Sequence, residues 1–138
     1  MELQSIMTVI PQEDIFLKKW SSHEWLHFIR LLPEKMTGEQ MSELDSHIGL
    51  TNTGNSEMLT AWMVHVIRNE YEAGYNNLEN FLVSAGRRKF LMPLYGEMVK
   101  TENGLAMAKN IYAKARQNYH YVSVASIDKM LNWNQQNL

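Results

Sequence analysis

The chain has 138 residues, 45% of them apolar and 20% charged, with a formal net charge of −2. That length and balance suit one globular domain spanning 1–138 with a buried core, and the slight acidic excess argues against a general nucleic-acid binder, which needs strong positive charge. With no cysteine there is no disulfide, thiolate metal site or thiol nucleophile, and no apolar run approaches the ~18 residues of a membrane span.

The start, Met1-Glu2-Leu3-Gln4, lacks the basic segment and apolar core of a secretory signal. A soluble chain is expected, with the cytoplasm the favoured compartment. Only three prolines and seven glycines punctuate the sequence, which favours helices over a turn-rich β fold.

Pro11 suits the first position of a short helix through Trp20, with Gln12, Glu13 and Asp14 in its first turn. Ser21-Ser22-His23-Glu24 reads as a capping box opening a helix to about Leu32, stopped by Pro33. Thr37-Gly38-Glu39-Gln40 is a second box, for a helix to about Ile48 that ends at Gly49. After a polar loop, Ser56 is expected to cap a helix through about Asn69. Its stripe is Leu59, Trp62, Met63 and Val66, widened by Met58, Val64 and Ile67 until little polar face remains, so this helix is expected to be mostly buried.

The next helix, about Tyr71 to Ala85, is weakened by Gly74 and closed by a left-handed Gly86. Then follows a helix carrying Leu91, Leu94, Tyr95 and Met98, in which Pro93 must sit in the first turn or kink the helix. Thr101 caps a helix with Leu105, Ala108, Tyr112 and Ala115 on one side. Tyr119 to Val122 read as a turn, and Ser123 as the cap of a last helix to about Leu131, with Val124, Ile127 and Leu131 inward. Asn132 to Leu138 read as a polar tail. The chain is thus expected to be all-α, with about eight helices. Helix pairs recur every ~32–36 residues, the period of helical-repeat superhelices, though no sequence repeat accompanies them.

His23-Glu24-Trp25-Leu26-His27 matches HExxH, in which two histidines one helical turn apart bind zinc and the glutamate activates water. The helical wheel argues against that use. At about 100° per residue, Trp25, Phe28, Ile29 and Leu32 share one side, while His23 and His27 fall opposite, beside Arg30. Glu24 already belongs to the capping box. The position where a gluzincin-type third ligand would stand is Ser46, with Glu43, Asp45 and His47 close by. His65 reads as a packed or boundary histidine, His120 as a turn residue, and the ten methionines as core filler.

Gly86-Arg87-Arg88-Lys89 places the densest positive charge in the chain at a helix start, whose N–H groups themselves attract anions. The stretch reads either as an anion site, suited to a carboxylate or phosphate, or as a solvated basic turn.

The full stretch Gly86-Arg87-Arg88-Lys89-Phe90-Leu91-Met92-Pro93-Leu94-Tyr95 closely resembles the GRxKFxxPL(Y/F) segment of the C-terminal helical domain of the leukotriene A4 hydrolase and M1-family zinc aminopeptidases. Ser21 to Ile29 is similar to that domain's SSHxxxxFL helix start, and Asn55-Ser56-Glu57 with Trp62 to its NSE(I/M)xxxW helix. Tyr119 to Ser123 is similar to its (M/Y)HPVT turn, with Tyr121 where proline is usual. The likeness covers about Asp14 to Leu131.

The resemblance implies an armadillo-like α-α superhelix packed on a catalytic domain of the same polypeptide. It implies that Arg87 and Lys89 hold the carboxylate of the peptide substrate, while Arg88, at a variable position, points elsewhere. It places the zinc, the catalytic HExxH and the GxMEN motif in that upstream domain, so this domain carries no cofactor of its own and is inactive alone. Two other readings stand beside it: a free-standing helical-repeat module that binds partner peptides in a groove, and a small zinc peptidase built on His23 and His27.

Overall fold

The computed structural model describes residues 21–133; the helix expected from Pro11 to Trp20 and the tail residues 134–138 lie outside them. Seven α-helices follow in order, and no strand occurs among the described residues. They are α1 (Ser22–Arg30), α2 (Gly38–Ile48), α3 (Ser56–Arg68), α4 (Tyr75–Ser84), α5 (Arg88–Met98), α6 (Glu102–Ala115) and α7 (Tyr121–Leu131), with 3₁₀ turns at Leu50–Asn52, Glu72–Gly74 and Arg116–Asn118. The chain divides into two compact units at Tyr71 and Glu72.

Local chemistry sets most helix starts. The Ser21 side chain accepts from the Glu24 N–H at 3.3 Å while Glu24 accepts from the Ser21 N–H at 3.1 Å. Thr37 and Gln40 make the same reciprocal pair at the head of α2. Gly49 ends α2 with φ 75°, a conformation that costs glycine little.

Four expectations are corrected. Asn55, not Ser56, caps α3: its carboxamide oxygen accepts from the N–H groups of both Glu57 and Met58 at 3.0 Å. The stretch from Tyr71 forms a 3₁₀ turn, and α4 begins only at Tyr75, because Gly74 interrupts the helix rather than merely weakening it. Gly86 is not left-handed: α4 stops because Ala85 turns extended. His120, not Ser123, caps α7, its Nδ1 accepting from the Val122 N–H, and Ser123 is buried inside the helix.

In the first unit α3 packs on α1 and on the Leu50–Asn52 turn. Its stripe is fully inside, with Trp62, Met63 and Val66 at 0% exposure. The indole N–H of Trp62 donates to Thr51 Oγ1 at 2.9 Å, and that hydroxyl donates onward to Asp45 at 2.6 Å. Asp45 also accepts from the Thr51 N–H and the Tyr71 hydroxyl. One carboxylate thus ties α2, the 3₁₀ turn and the end of α3 together, leaving a buried polar cluster satisfied. His65 is buried, and its Nε2–H donates to the Ile29 carbonyl of α1 at 2.9 Å.

In the second unit α4 packs on α6, and α5 on α6 and α7. The core holds a tyrosine cluster: Tyr95, Tyr112 and Tyr119 pack with ring centroids 5.7–6.3 Å apart, and Trp133 lies edge-on to Tyr112 at 5.0 Å. Tyr119 donates its hydroxyl to the Leu82 carbonyl, so at its own oxygen it accepts from Tyr95 at 3.0 Å. Burial pushes the Tyr119 phenol up to about 12 and raises Tyr95 and Tyr112 further. The cluster therefore stays neutral and fixed around neutral pH.

The same spacing recurs in both units. Side-chain hydrogen bonds join residues 33 to 38 apart: Asn55 to Ser22, Asn69 to Met36 and His65 to Ile29 in the first; Tyr119 to Leu82, Lys114 to Glu79 and Arg88 to Ser126 in the second. Helices thus pair next-but-one along the chain, the arrangement of α-α repeats.

Candidate functional site

The basic stretch lies in the second unit. Residues 85–87 link α4 to α5 without helical structure. Arg87 is the N-cap residue of α5, with φ −81° and ψ 125°, and no side chain caps the helix. Arg88, Lys89 and Phe90 form its first turn. Arg87, Arg88 and Lys89 are exposed, whereas Phe90 is buried with Leu91, Leu94 and Tyr95.

The three cations part company. Arg88 reaches α7, where its Nη2 donates to Ser126 Oγ at 2.6 Å. Arg87 and Lys89 instead lie over one ring: the guanidinium carbon is 5.5 Å from the Phe90 centroid and the ammonium nitrogen 5.2 Å. Both fall within the reach of cation–π attraction. Phe90 rests in turn on Phe81 of α4, centroids 6.0 Å apart. Among the described residues Arg87 has no carboxylate partner. The arrangement brings two positive groups to an uncapped helix N-terminus, where partial positive charge is also concentrated. An anion is what such a place attracts.

Pro93 is the sixth residue of α5, beyond its first turn, and the helix runs on through it to Met98. It is exposed, and its missing N–H removes the donor that would serve the Lys89 carbonyl. Below this turn Tyr95 anchors α5 to the tyrosine cluster. On α7, Asp128 takes a two-point bond from Arg116, Nε to Oδ1 at 3.0 Å and Nη2 to Oδ2 at 2.8 Å, with the Tyr112 hydroxyl donating at 2.5 Å. The guanidinium holds the Asp128 carboxyl below its ordinary range despite opposing burial.

His23 and His27 lie on the exposed side of α1 with Glu24 and Arg30, opposite buried Phe28 and Ile29. Asp45, one neighbour considered as a third ligand, is engaged by Thr51 and Tyr71. No group of three His, Asp or Glu able to hold a metal occurs among the described residues. These residues therefore do not fit the zinc that an HExxH string implies.

Two features escaped the sequence reading: the Phe90 ring under both cations, and the Ser126 hydroxyl that takes Arg88 away. No local pattern announces either, because Arg87 stands outside the helix and Ser126 is far from Arg88 in sequence.

Comparison with known proteins identifies the family. Among curated relatives, aminopeptidase B of Mus musculus is 22% identical over 123 residues, covering 86% of this chain and 19% of that protein. Leucine aminopeptidase 2 of Neurospora crassa is 27% identical over 115 residues, 81% of this chain and 17% of that protein. Aminopeptidase B of Homo sapiens is 22% identical over 112 residues, 78% and 17% respectively. The chain thus spans less than a fifth of the length of these relatives. The family described as leukotriene A4 hydrolase, C-terminal, matches residues 20–131, a span that takes in all seven helices and the Arg87–Lys89 turn, and the chain belongs to that family of aminopeptidase C-terminal domains.

Proposed function

We propose that this chain serves as the C-terminal domain of a zinc-dependent M1 aminopeptidase, which hydrolyses peptides from the N-terminus. In that role it walls one side of the substrate cleft, and Arg87 and Lys89 anchor the peptide's carboxylate. The armadillo-like superhelix belongs to the same reading, supported by the next-but-one helix pairing within each unit. The observation that carries the anchoring role is the convergence of Arg87 and Lys89 on one ring at an uncapped helix start, with Arg88 tied off to Ser126.

Zinc, on this reading, is held by the catalytic domain of the same polypeptide, which supplies the hydrolytic chemistry. The task of this chain is positioning. A guanidinium can bind a carboxylate through two parallel N–H donors, and the ammonium adds a point charge. Fixing the far end of a short peptide sets its scissile bond relative to the reacting groups.

The test is Arg87→Ala in the full-length aminopeptidase, assayed on short peptides with a free C-terminal carboxylate. Losing a hydrogen bond to a charged group costs on the order of 1.5–3 kcal/mol, so kcat/KM should fall by about ten- to a hundred-fold. An unchanged kcat/KM overturns the assignment.

A further inference from the structure

We propose that Asn103 is a latent modification site, converted without an enzyme to aspartate and isoaspartate when the first turn of α6 opens, with the Thr101 cap as its guard. Asn103 is the one asparagine of the sequence that precedes a glycine. Glycine leaves its backbone nitrogen unhindered, so that nitrogen can attack the carboxamide carbon of the preceding side chain. The nitrogen–carbon bond forms, the carboxamide nitrogen leaves as ammonia, and a five-membered succinimide results. Water then opens either of its two carbonyl–nitrogen bonds, giving aspartate by one route and isoaspartate by the other. The net exchange is one water taken up for one ammonia released.

The fold makes this dipeptide hard to avoid. Gly104 is buried where α6 starts, and a Cβ there would collide with the Met98 carbonyl oxygen at the end of α5. Glycine is what so close an approach admits. Asn103, one residue earlier, is exposed to the water that the reaction consumes.

The same turn holds the reaction off. Asn103 and Gly104 are the second and third residues of α6, and the Thr101 side chain accepts from the Gly104 N–H at 3.0 Å. That bond keeps the proton on the nitrogen that must attack. In a helix the Cα–Cβ bond also tilts toward the N-terminus, away from the next residue's nitrogen. Attack therefore requires the turn to open locally.

The two products differ in effect. Aspartate adds negative charge to the first turn of α6, where the helix N-terminus favours it. Isoaspartate lengthens the main chain by one carbon just before Gly104, which shifts that residue relative to both Thr101 and Met98.

The experiment incubates the chain in mildly alkaline buffer, native and in urea. Mass spectrometry follows the tryptic peptide 101–109, released by cleavage after Lys100 and Lys109. In urea the peptide should convert readily, and in native buffer at least about tenfold more slowly. Thr101→Ala removes the cap and should raise the native rate about fivefold, whereas Thr101→Ser keeps the acceptor and should hold the wild-type rate. Should Thr101→Ala fail to fold, hydrogen exchange of the Gly104 amide in the wild type gives the open fraction, and the native rate should equal the urea rate multiplied by it. A peptide that stays unconverted in urea overturns the site. A native rate equal to the urea rate overturns the gate. A Thr101→Ala rate at the wild-type value, or a native rate above the one set by the open fraction, overturns the role of Thr101.

Discussion

Gly104 is the third residue of α6, where that helix begins against the end of α5. A Cβ at this position would stand 2.2 Å from the Met98 carbonyl oxygen, 2.9 Å from Thr101 Oγ1 and 3.0 Å from the Met98 carbonyl carbon. Ordinary contact begins at 3.4 Å, so the α5 backbone or the start of α6 must move by about 1 Å to admit a methyl group. Thr101 cannot simply step aside, because its hydroxyl caps α6 by accepting from the Gly104 N–H at 3.0 Å.

Three effects decide the sign of Gly104→Ala. Overpacking costs about 1–3 kcal/mol, and disturbing the cap costs about 1 kcal/mol more. Alanine's better helix propensity returns at most about 1 kcal/mol. The expected net loss is about 1–3 kcal/mol. Gly96, inside α5, supplies the contrast, since a Cβ there meets nothing within 4 Å. Gly96→Ala should therefore stabilise by up to about 1 kcal/mol. Urea unfolding followed by helical circular dichroism would show the midpoint falling for the first variant and rising for the second. A Gly104→Ala protein at least as stable as wild type refutes the steric argument.

Tyr71→Phe keeps the edge-on ring contact with Trp62 at 6.3 Å but removes the hydroxyl that donates to Asp45 at 3.1 Å; it should cost about 1–2 kcal/mol, and an unmoved urea midpoint would show that the Asp45 cluster does not need this donor. Asp128→Asn should destabilise by about 1–2 kcal/mol at pH 7, because it weakens the Arg116 pair and the Tyr112 hydrogen bond. The folded-state pKa of Asp128 lies below its ordinary value of 3.8, so the stabilisation is present above about pH 4 and is lost as pH falls through the folded-state pKa. The gap between wild type and Asp128→Asn should accordingly narrow at strongly acid pH; a gap of constant size would mean that the ion pair is not its source.

Features written in consecutive residues were legible in the sequence. The boxes at Ser21 and Thr37 are four-residue patterns whose geometry is fixed once the helix forms, and the α3 stripe follows from helical periodicity. The wheel put His23 and His27 on the solvent side of α1, where the structure has them. Choices between adjacent caps were less legible. Asn55 and Ser56 are both good caps, and the Asn55 carboxamide wins by reaching two N–H groups at once. The end of α4 was misread for a related reason. A glycine after a helix suggests a left-handed stop, but the extended backbone at Ala85 already ends it.

At the site, the basic triplet was plain in the sequence and its division was not. Arg88 finds Ser126 across 38 residues of chain, and no local pattern announces such a partner. The meeting of Arg87 and Lys89 over Phe90 depends on Arg87 lying outside the helix, a backbone detail that composition does not encode.

The recurrence of partners at 33 to 38 residues bears on how the chain acquires its structure. Every such closure spans only 33 to 38 residues, so the loop that must be closed is short and its entropic cost modest. Topologies of low contact order fold quickly, and in stacked helical arrays structure can nucleate at more than one place and spread to its neighbours. Each unit has its own centre for this: Trp62 with the Asp45 cluster in one, the three tyrosines in the other. Within a unit, a defect introduced in α1 should slow the growth of structure in α3, and one in α4 that in α6.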